Sequence, residues 1–175
     1  MALPITRCVL IGLPGAGKTT VGARLANAMG WSFVDVDEEI VRHSGQSVAD
    51  FFAHEGAATF RALEARLTAE LCSRASIVVA PGGGWAVQPG ALENLPRGTA
   101  TVWLRVSEEE AIRRLRGSPH VRPLLAVADP LGALRALSRD RNGAYSRADL
   151  VVDVDGRTED DISRTISAWL RRNIS

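Results

Sequence analysis

At 175 residues, 46% of them hydrophobic and 23% charged, the chain is long enough for one domain with one buried core. Its formal net charge of +1 excludes a global field that would favour nucleic acid or an anionic membrane surface, so neither is an expected partner. Two cysteines, no apolar stretch of the roughly 20 residues that span a bilayer, and no signal-peptide pattern at the N-terminus predict a cytoplasmic protein.

Short apolar runs alternate with longer amphipathic segments along the chain. The apolar runs predict five strands, and their near-continuous hydrophobicity is typical of strands covered on both faces, as in a parallel sheet. The five are Arg7–Ile11, Ser32–Val36, Ile77–Ala80, Thr99–Arg105 and Leu150–Asp153. This β-α order predicts an α/β fold of three layers, α/β/α, with a central five-stranded parallel sheet and right-handed crossovers.

Capping signals predict where the helices between these strands begin and end. The first helix, Lys18–Met29, is followed by Gly30, a residue suited to the left-handed position after a helix. The other signals are capping boxes at Ser47–Asp50 and Ser107–Glu110, the pair Asp129-Pro130, and Thr158, which opens a last helix to about Arg172.

Two segments are too long to be simple connections. Residues 37–73 predict two or three helices between the second and third strands, and residues 117–128 form a loop that carries His120, Arg122 and Pro123. Ligands in such folds bind at the carboxyl ends of the strands, so both segments are expected to fold over a site there. We expect residues 1–175 to form a single domain.

The stretch Gly12-Leu-Pro-Gly-Ala-Gly-Lys-Thr matches the P-loop pattern G-x-x-x-x-G-K-[ST] in full, between a predicted strand and a predicted helix. Its glycines let backbone amides curl around an anion, and the helix N-terminus adds its positive dipole. Lys18 is the only lysine in the chain, and we expect it at the β- and γ-phosphates, with the Thr19 hydroxyl on Mg²⁺. The expected nucleotide-binding residues here are Gly15, Ala16, Gly17, Lys18, Thr19 and Thr20.

The class of P-loop protein is narrowed by motifs that the sequence lacks. There is no N-K-x-D motif of the kind that recognises guanine, and no second ATPase signature. The chain is also short for a motor. A small-molecule kinase is therefore favoured.

Three features suggest an acceptor pocket, and each has a simpler alternative. Strand alternation sends Asp35 and Asp37 to one side, although a solvated strand end with an N-cap aspartate fits equally well. Arg61 and Glu64 share a helix face, which a surface ion pair also explains. Residues 82–84 are three glycines after the third strand, where a ligand can approach the backbone closely, or where the chain simply turns.

Six motifs occur together and in order: the P-loop, D-x-D at 35–37, F-R-x-x-E at 60–64, G-G-G at 82–84, R-P-L-L at 122–125 and R-x-x-x-Y at 141–145. The set resembles the shikimate kinase family, of the nucleoside-monophosphate-kinase fold, over about residues 9–155. The resemblance implies transfer of the γ-phosphoryl group of ATP to the 3-hydroxyl of shikimate, with Mg²⁺ as cofactor. It also implies a substrate-binding segment at about 37–73 and a lid at about 117–128 in a monomeric protein.

The resemblance also implies roles for individual residues. Asp37 would hold the acceptor hydroxyl, and Asp35 would contact magnesium through water. Arg61 and Arg141 would clamp the carboxylate of shikimate, while Gly82, Gly83 and Gly84 would bond ring hydroxyls. Arg122 would close over the phosphates as a catalytic residue beside Lys18 and Asp37. The remaining expected contacts are Phe52 and Phe60 at the pocket wall and Arg114 and Arg157 near the adenine.

The sequence departs from the family pattern beside these motifs. Ala80 and Pro81 stand where a hydroxyl residue often precedes the triple glycine, Ala57 replaces a common Glu, and Trp85 is unusually bulky. Two alternatives therefore stay open. One is a P-loop kinase of another hydroxy acid, similar to a gluconate kinase. The other is a nucleotide-binding regulatory module without transferase activity.

Overall fold

A computed structural model describes residues 4–118 and 123–174. In these residues five strands and six α-helices follow one another along the chain. The strands are Arg7–Ile11 (β1), Ser32–Asp35 (β2), Ile77–Ala80 (β3), Thr99–Arg105 (β4) and Leu150–Asp153 (β5). The helices are Lys18–Met29 (α1), Val36–Ser44 (α2), Val48–Cys72 (α3), Glu108–Arg116 (α4), Pro130–Tyr145 (α5) and Glu159–Asn173 (α6), with a 3-10 helix at Pro123–Ala126.

The strands form one parallel sheet in the order β2-β3-β1-β4-β5, so the predicted five-stranded parallel sheet is confirmed. The strand β1 lies at its centre, where Val9 pairs with Val79 of β3 and with Thr101 of β4. The strands β2 and β3 lie on one side of β1, and β4 and β5 lie on the other side. The loop that follows β1 therefore opens at the topological switch point, where α/β sheets bind their ligands.

The second strand ends one residue earlier than its apolar pattern predicts. Asp35 caps α2: its Oδ1 accepts hydrogen bonds from the backbone N–H groups of Asp37 at 2.9 Å and Glu38 at 3.4 Å. Val36 and Asp37 are therefore helical, and the argument that strand alternation orients Asp35 and Asp37 is wrong. The cap fixes the geometry of the two carboxylates instead, because it ties the start of α2 to the tip of β2.

The predicted helix signals are confirmed. Gly30 adopts the left-handed conformation at φ 66° after α1. Each of four helix starts has a side-chain oxygen that accepts a backbone N–H of the first turn: Ser47 before α3, Ser107 before α4, Asp129 before α5 and Thr158 before α6. Gly56 interrupts α3 at φ 82° and ψ 167°, so residues 37–73 contain three helical stretches.

The hydrophobic core lies between the sheet and its helices. Leu10 and Leu104 of the central strands, Leu25 of α1 and Tyr145 of α5 are fully buried. Trp85, which follows the triple glycine, is also buried in this core at 3% exposure, so its ring packs inward. Within residues 4–118 and 123–174, every helix is too short or too polar to cross a membrane.

Candidate active site

The loop after β1 forms a compact cradle at the N-terminus of α1. Gly15 adopts φ +84°, and a Cβ there would lie 2.7 Å from the backbone oxygen of Ala111 in α4, so only glycine fits. Gly17 is the N-cap of α1, and in the described part of the chain no side chain caps this helix. The first-turn N–H groups are therefore open to an anion, which the helix dipole favours.

Lys18 lies across this cradle rather than in solvent. Its Nζ donates to the backbone oxygens of Gly12 at 2.7 Å and Leu13 at 3.1 Å. The two carbonyls fix a compact ammonium at the mouth of the loop, at the carboxyl end of the central strand.

Thr19 and Asp35 meet beside the lysine. The Thr19 hydroxyl donates to Asp35 Oδ2 at 2.5 Å, while Asp35 Oδ1 is held by the N-cap contacts to α2. Oxygen donors of this kind suit Mg²⁺, which usually takes one or two protein oxygens and completes its octahedron with water and substrate phosphates. No larger metal-binding group of His, Cys, Asp and Glu occurs in the two described ranges. The residues fit a magnesium ion that is shared with a nucleotide.

The two expected substrate arginines, Arg61 from α3 and Arg141 from α5, converge on the triple glycine. A Cβ at Gly83 would lie 2.7 Å from Nη1 of Arg141, and a Cβ at Gly84 would clash with Nη2 of Arg61. A side chain at either position would displace a guanidinium group from its present place. A plain turn at residues 82–84 would not explain why the two guanidinium groups lie so close to these glycines.

A buried ion pair holds Arg61. Its Nη1 donates to Glu64 Oε2 at 2.5 Å, and its Cζ lies 5.2 Å from the centre of the Phe60 ring. The Arg61 side chain is 27% exposed and that of Glu64 is fully buried, so the surface-pair alternative is wrong. Burial raises the pKa of the Glu64 carboxyl, and Arg61 opposes this rise. A buried pair of this kind keeps one geometry because neither group can leave without stranding the other.

Two acidic side chains also approach the triple glycine. A Cβ at Gly82 would lie 2.5 Å from Glu64 Oε1 and 3.5 Å from Asp37 Oδ1. Glu64 Oε1 is buried and completes no hydrogen bond within the described residues, although the nearby Gly82 amide lowers the pKa of this carboxyl slightly. Two carboxylates and two guanidinium groups therefore surround three glycines, beside the P-loop.

The expected adenine-side arginines are engaged with the protein itself. Arg114 donates to Glu110 Oε1 at 2.7 Å, to the Val154 oxygen at 2.9 Å and, more weakly, to the Ala16 oxygen at 3.4 Å. It thus links α4 and the end of β5 to the P-loop backbone. Arg157, which precedes α6, donates to Thr165 Oγ1 within that helix at 2.6 Å.

The Arg114 link predicts a pH dependence of stability. Hydrogen bonds from Arg113 and Arg114 lower the pKa of Glu110 to about 2, below its ordinary 4.5. The folded state therefore favours the carboxylate; this stabilisation is complete above pH 4.5 and is lost as the pH falls towards 2. We expect Glu110→Gln to lower the free energy of unfolding at pH 6 and to narrow the gap from wild type at pH 3. Urea unfolding at both pH values measures this, with Glu70→Gln, an exposed glutamate of α3, as control; a deficit that stays constant would contradict it.

The remaining expected residues vary in their surroundings. Phe60 is buried and its ring centre lies 5.3 Å from that of Phe52, which is 40% exposed. Thr20 is exposed in the first turn of α1. Arg122, and with it the centre of the expected lid, falls outside the described residues.

Two residues of this site were not among the sequence-based candidates for function. Glu64 was noted only as a helix neighbour of Arg61, and its spacing of three residues was the available signal. Tyr145 is the last residue of the R-x-x-x-Y motif, to which the sequence assigned no role. Its hydroxyl donates to the Gly83 carbonyl oxygen at 2.5 Å, four residues after Arg141 on α5.

The chain is similar to known proteins over most of its length. Residues 14–171 match the family model described as shikimate kinase. A shikimate kinase of Synechococcus sp. (strain RCC307) is 42% identical over 161 residues, 92% of this chain and 82% of that protein. The structure of shikimate kinase from Acinetobacter baumannii in complex with shikimate superposes with a TM-score of 0.88 at 33% identity, covering 97% and 94% of the two chains. A gluconokinase from Sinorhizobium meliloti 1021 has a TM-score of 0.64 at 24% identity, over 98% of this chain and 95% of its own, which shows the common fold alone.

Proposed function

The chain belongs to the shikimate kinase family, and from this premise we propose which of its own residues transfer the γ-phosphoryl group of ATP to the 3-hydroxyl of shikimate. The protein is an ATP-dependent kinase that acts on an alcohol group. The single observation that carries the residue assignment is the convergence of Arg61 and Arg141 on the glycine loop beside the P-loop. Two guanidinium groups that are distant in sequence and approach one glycine loop match a planar carboxylate.

The P-loop binds the phosphates of ATP. The amides of residues 15–20 bind the phosphate oxygens, and Lys18 spans the β- and γ-phosphates as a compact charge. Phosphoryl transfer passes through a loose transition state with negative charge spread over oxygens. Charge neutralisation and positioning therefore do most of the catalytic work, and Arg122 adds a second positive charge from the lid.

The residues around the triple glycine, 82–84, bind the acceptor. Arg61 and Arg141 bind the carboxylate of shikimate, the glycine amides bind its ring hydroxyls, and Asp37 binds the hydroxyl that reacts. This hydroxyl oxygen attacks the γ-phosphorus, the bond from that phosphorus to the β-phosphate oxygen breaks, and ADP leaves. Asp37 orients the hydroxyl and accepts its proton, which then passes to solvent.

Thr19 and Asp35 would hold the magnesium ion. When bound, the ion neutralises phosphate charge. The chain contributes the Thr19 hydroxyl, and Asp35 Oδ2 lies beside it, so the carboxylate either binds directly or holds a water. Ala80 and Pro81 provide no hydroxyl at the end of β3, which leaves Thr19 and Asp35 as the protein groups for this task.

The remaining assignments concern the whole molecule. Residues 37–73 form the substrate-binding segment and residues 117–128 the lid of one kinase domain. We propose that this kinase acts as a monomer. Cys8 and Cys72 are buried free thiols, as a reducing cytoplasm permits.

ADP release with Mg-ATP and a panel of acceptors tests the function. We expect release with shikimate to exceed that with quinate, gluconate or a nucleoside monophosphate by at least about a hundredfold in kcat/KM, about 2.7 kcal/mol of discrimination. Equal rates with gluconate would support the other hydroxy-acid kinase. ATP binding without acceptor-dependent ADP release would support the regulatory module.

A further inference from the structure

The hydroxyl of Tyr145 joins two parts of the acceptor site that come from different elements. It donates to the Gly83 carbonyl oxygen at 2.5 Å, and the Arg141 guanidinium lies close enough to lower the pKa of Tyr145. We propose that Tyr145 is a positioning residue, whose hydroxyl fixes Arg141 and the glycine loop in the one geometry that binds the acceptor. This inference rests on the proposed function of the acceptor site around residues 82–84.

The geometry of α5 explains why the Tyr145 hydroxyl can lie close to both Arg141 and the Gly83 carbonyl. Arg141 and Tyr145 are four residues apart on the same helix, so their side chains lie on the same face. A tyrosine hydroxyl donates one hydrogen bond and also accepts, so a hydroxyl that donates to the Gly83 carbonyl keeps a lone pair for the neighbouring Arg141 guanidinium. Gly83 also lies close to Arg141, so each of the three residues is next to the other two.

The surroundings of Tyr145 keep its hydroxyl in place. The residue is fully buried, and its ring centre lies 5.7 Å from that of Trp103 on β4. Burial raises the pKa of Tyr145 to about 12, so the proton that bonds Gly83 is retained at every physiological pH. The hydroxyl is therefore a permanent donor to the glycine loop.

Removing the hydroxyl should affect the acceptor site and leave the phosphate site intact. In Tyr145→Phe the Gly83 carbonyl loses its donor and Arg141 loses the hydroxyl beside it, while the ring and its packing remain. Both groups can then adopt other geometries, which weakens acceptor binding. The P-loop contacts of Lys18 and Thr19 involve neither group.

Steady-state kinetics of Tyr145→Phe test the proposal. We expect the KM for shikimate to rise roughly tenfold, with the KM for ATP unchanged within about twofold. Ser138→Ala is the matched control, because it deletes another buried hydroxyl of α5 that bonds Asn142 rather than the glycine loop. The control should keep both KM values. Adding Tyr145→Phe to Arg141→Ala should raise the shikimate KM by less than it does in the wild-type protein.

A second measurement keeps the proposal testable if Tyr145→Phe does not fold. Tyr145 is the only tyrosine of the chain, so growth on 3-fluorotyrosine labels this site alone. We expect its fluorine resonance to shift on titration with shikimate, with a midpoint that follows shikimate binding. A resonance that stays in place at saturating shikimate would overturn the proposal.

The kinetic outcomes separate this inference from the proposed function. If the wild-type protein releases no ADP in response to shikimate, the proposed function fails. If the wild-type protein does so and Tyr145→Phe keeps its shikimate KM, or raises both KM values equally, the function stands and the positioning role is refuted.

Discussion

Lys18→Arg is expected to lower kcat by about a hundredfold or more, although the charge is preserved. The Lys18 Nζ fits between the carbonyl oxygens of Gly12 and Leu13, at 2.7 and 3.1 Å. A planar guanidinium is wider than an ammonium and directs its donors in a fixed fork, so it cannot occupy this position and reach the phosphates in the same way. Steady-state ADP release at saturating substrates measures the loss.

Arg24→Lys provides the matched control for this exchange. Arg24 lies on the same helix, α1, and forms an exposed ion pair with Asp160. Exposed pairs contribute little to stability, so this exchange should leave kcat within about twofold of wild type. If Lys18→Arg also kept a near-normal kcat with Mg-ATP, the phosphate site would not require an ammonium and the assignment of Lys18 would be contradicted.

Arg141→Ala is expected to raise the KM for shikimate by about a hundredfold, which is the effect of truncating one partner of a desolvated charge pair. The KM for ATP should stay within about twofold, because Arg141 lies beside Gly83 and Tyr145 and takes no part in the Lys18 and Thr19 hydrogen bonds described above. Initial rates with each substrate varied in turn measure the two constants.

Arg139→Ala is the control for this second variant. Arg139 is an exposed arginine of α5, two residues away, so its loss removes the same charge from the same helix. We expect both KM values to remain near wild type. An equal rise of both KM values in Arg141→Ala would contradict a carboxylate clamp and would point to a general disturbance of α5.

The sequence predicted those parts of the molecule that depend on local signals. The P-loop pattern, the N-caps at Ser47 and Asp129, and the C-terminal glycine Gly30 act within a few residues, and all produced the predicted helix boundaries. The end of β2 was placed one residue too far, at Val36. There the apolar side chain continued the strand pattern, while the Asp35 cap had already started the helix.

Tertiary contacts determined what the sequence left open. The i, i+3 spacing of Arg61 and Glu64 fits an exposed pair and a buried one equally well. Only the packing of α3 shows that the Glu64 side chain is fully buried. The same holds for Trp85, whose size suggested an altered pocket and whose ring lies in the core.

The same reasoning applies to the residues that link separate elements. The family resemblance implied a place near the adenine for Arg114, and it gave no sign that this side chain bonds Glu110 and the backbone at Ala16 and Val154. Tyr145 and Gly83 meet only because the fold brings α5 next to the loop that follows β3. Contacts of this kind depend on the fold as a whole, so neither spacing nor composition predicts them.

A crystal structure of the protein with shikimate and ADP would test the central claim most directly. The account predicts the carboxylate of shikimate between the guanidinium groups of Arg61 and Arg141, with nitrogen–oxygen distances of about 2.7–2.9 Å, and a ring hydroxyl at Asp37. A carboxylate bound elsewhere, with the two arginines in contact only with protein groups, would contradict it.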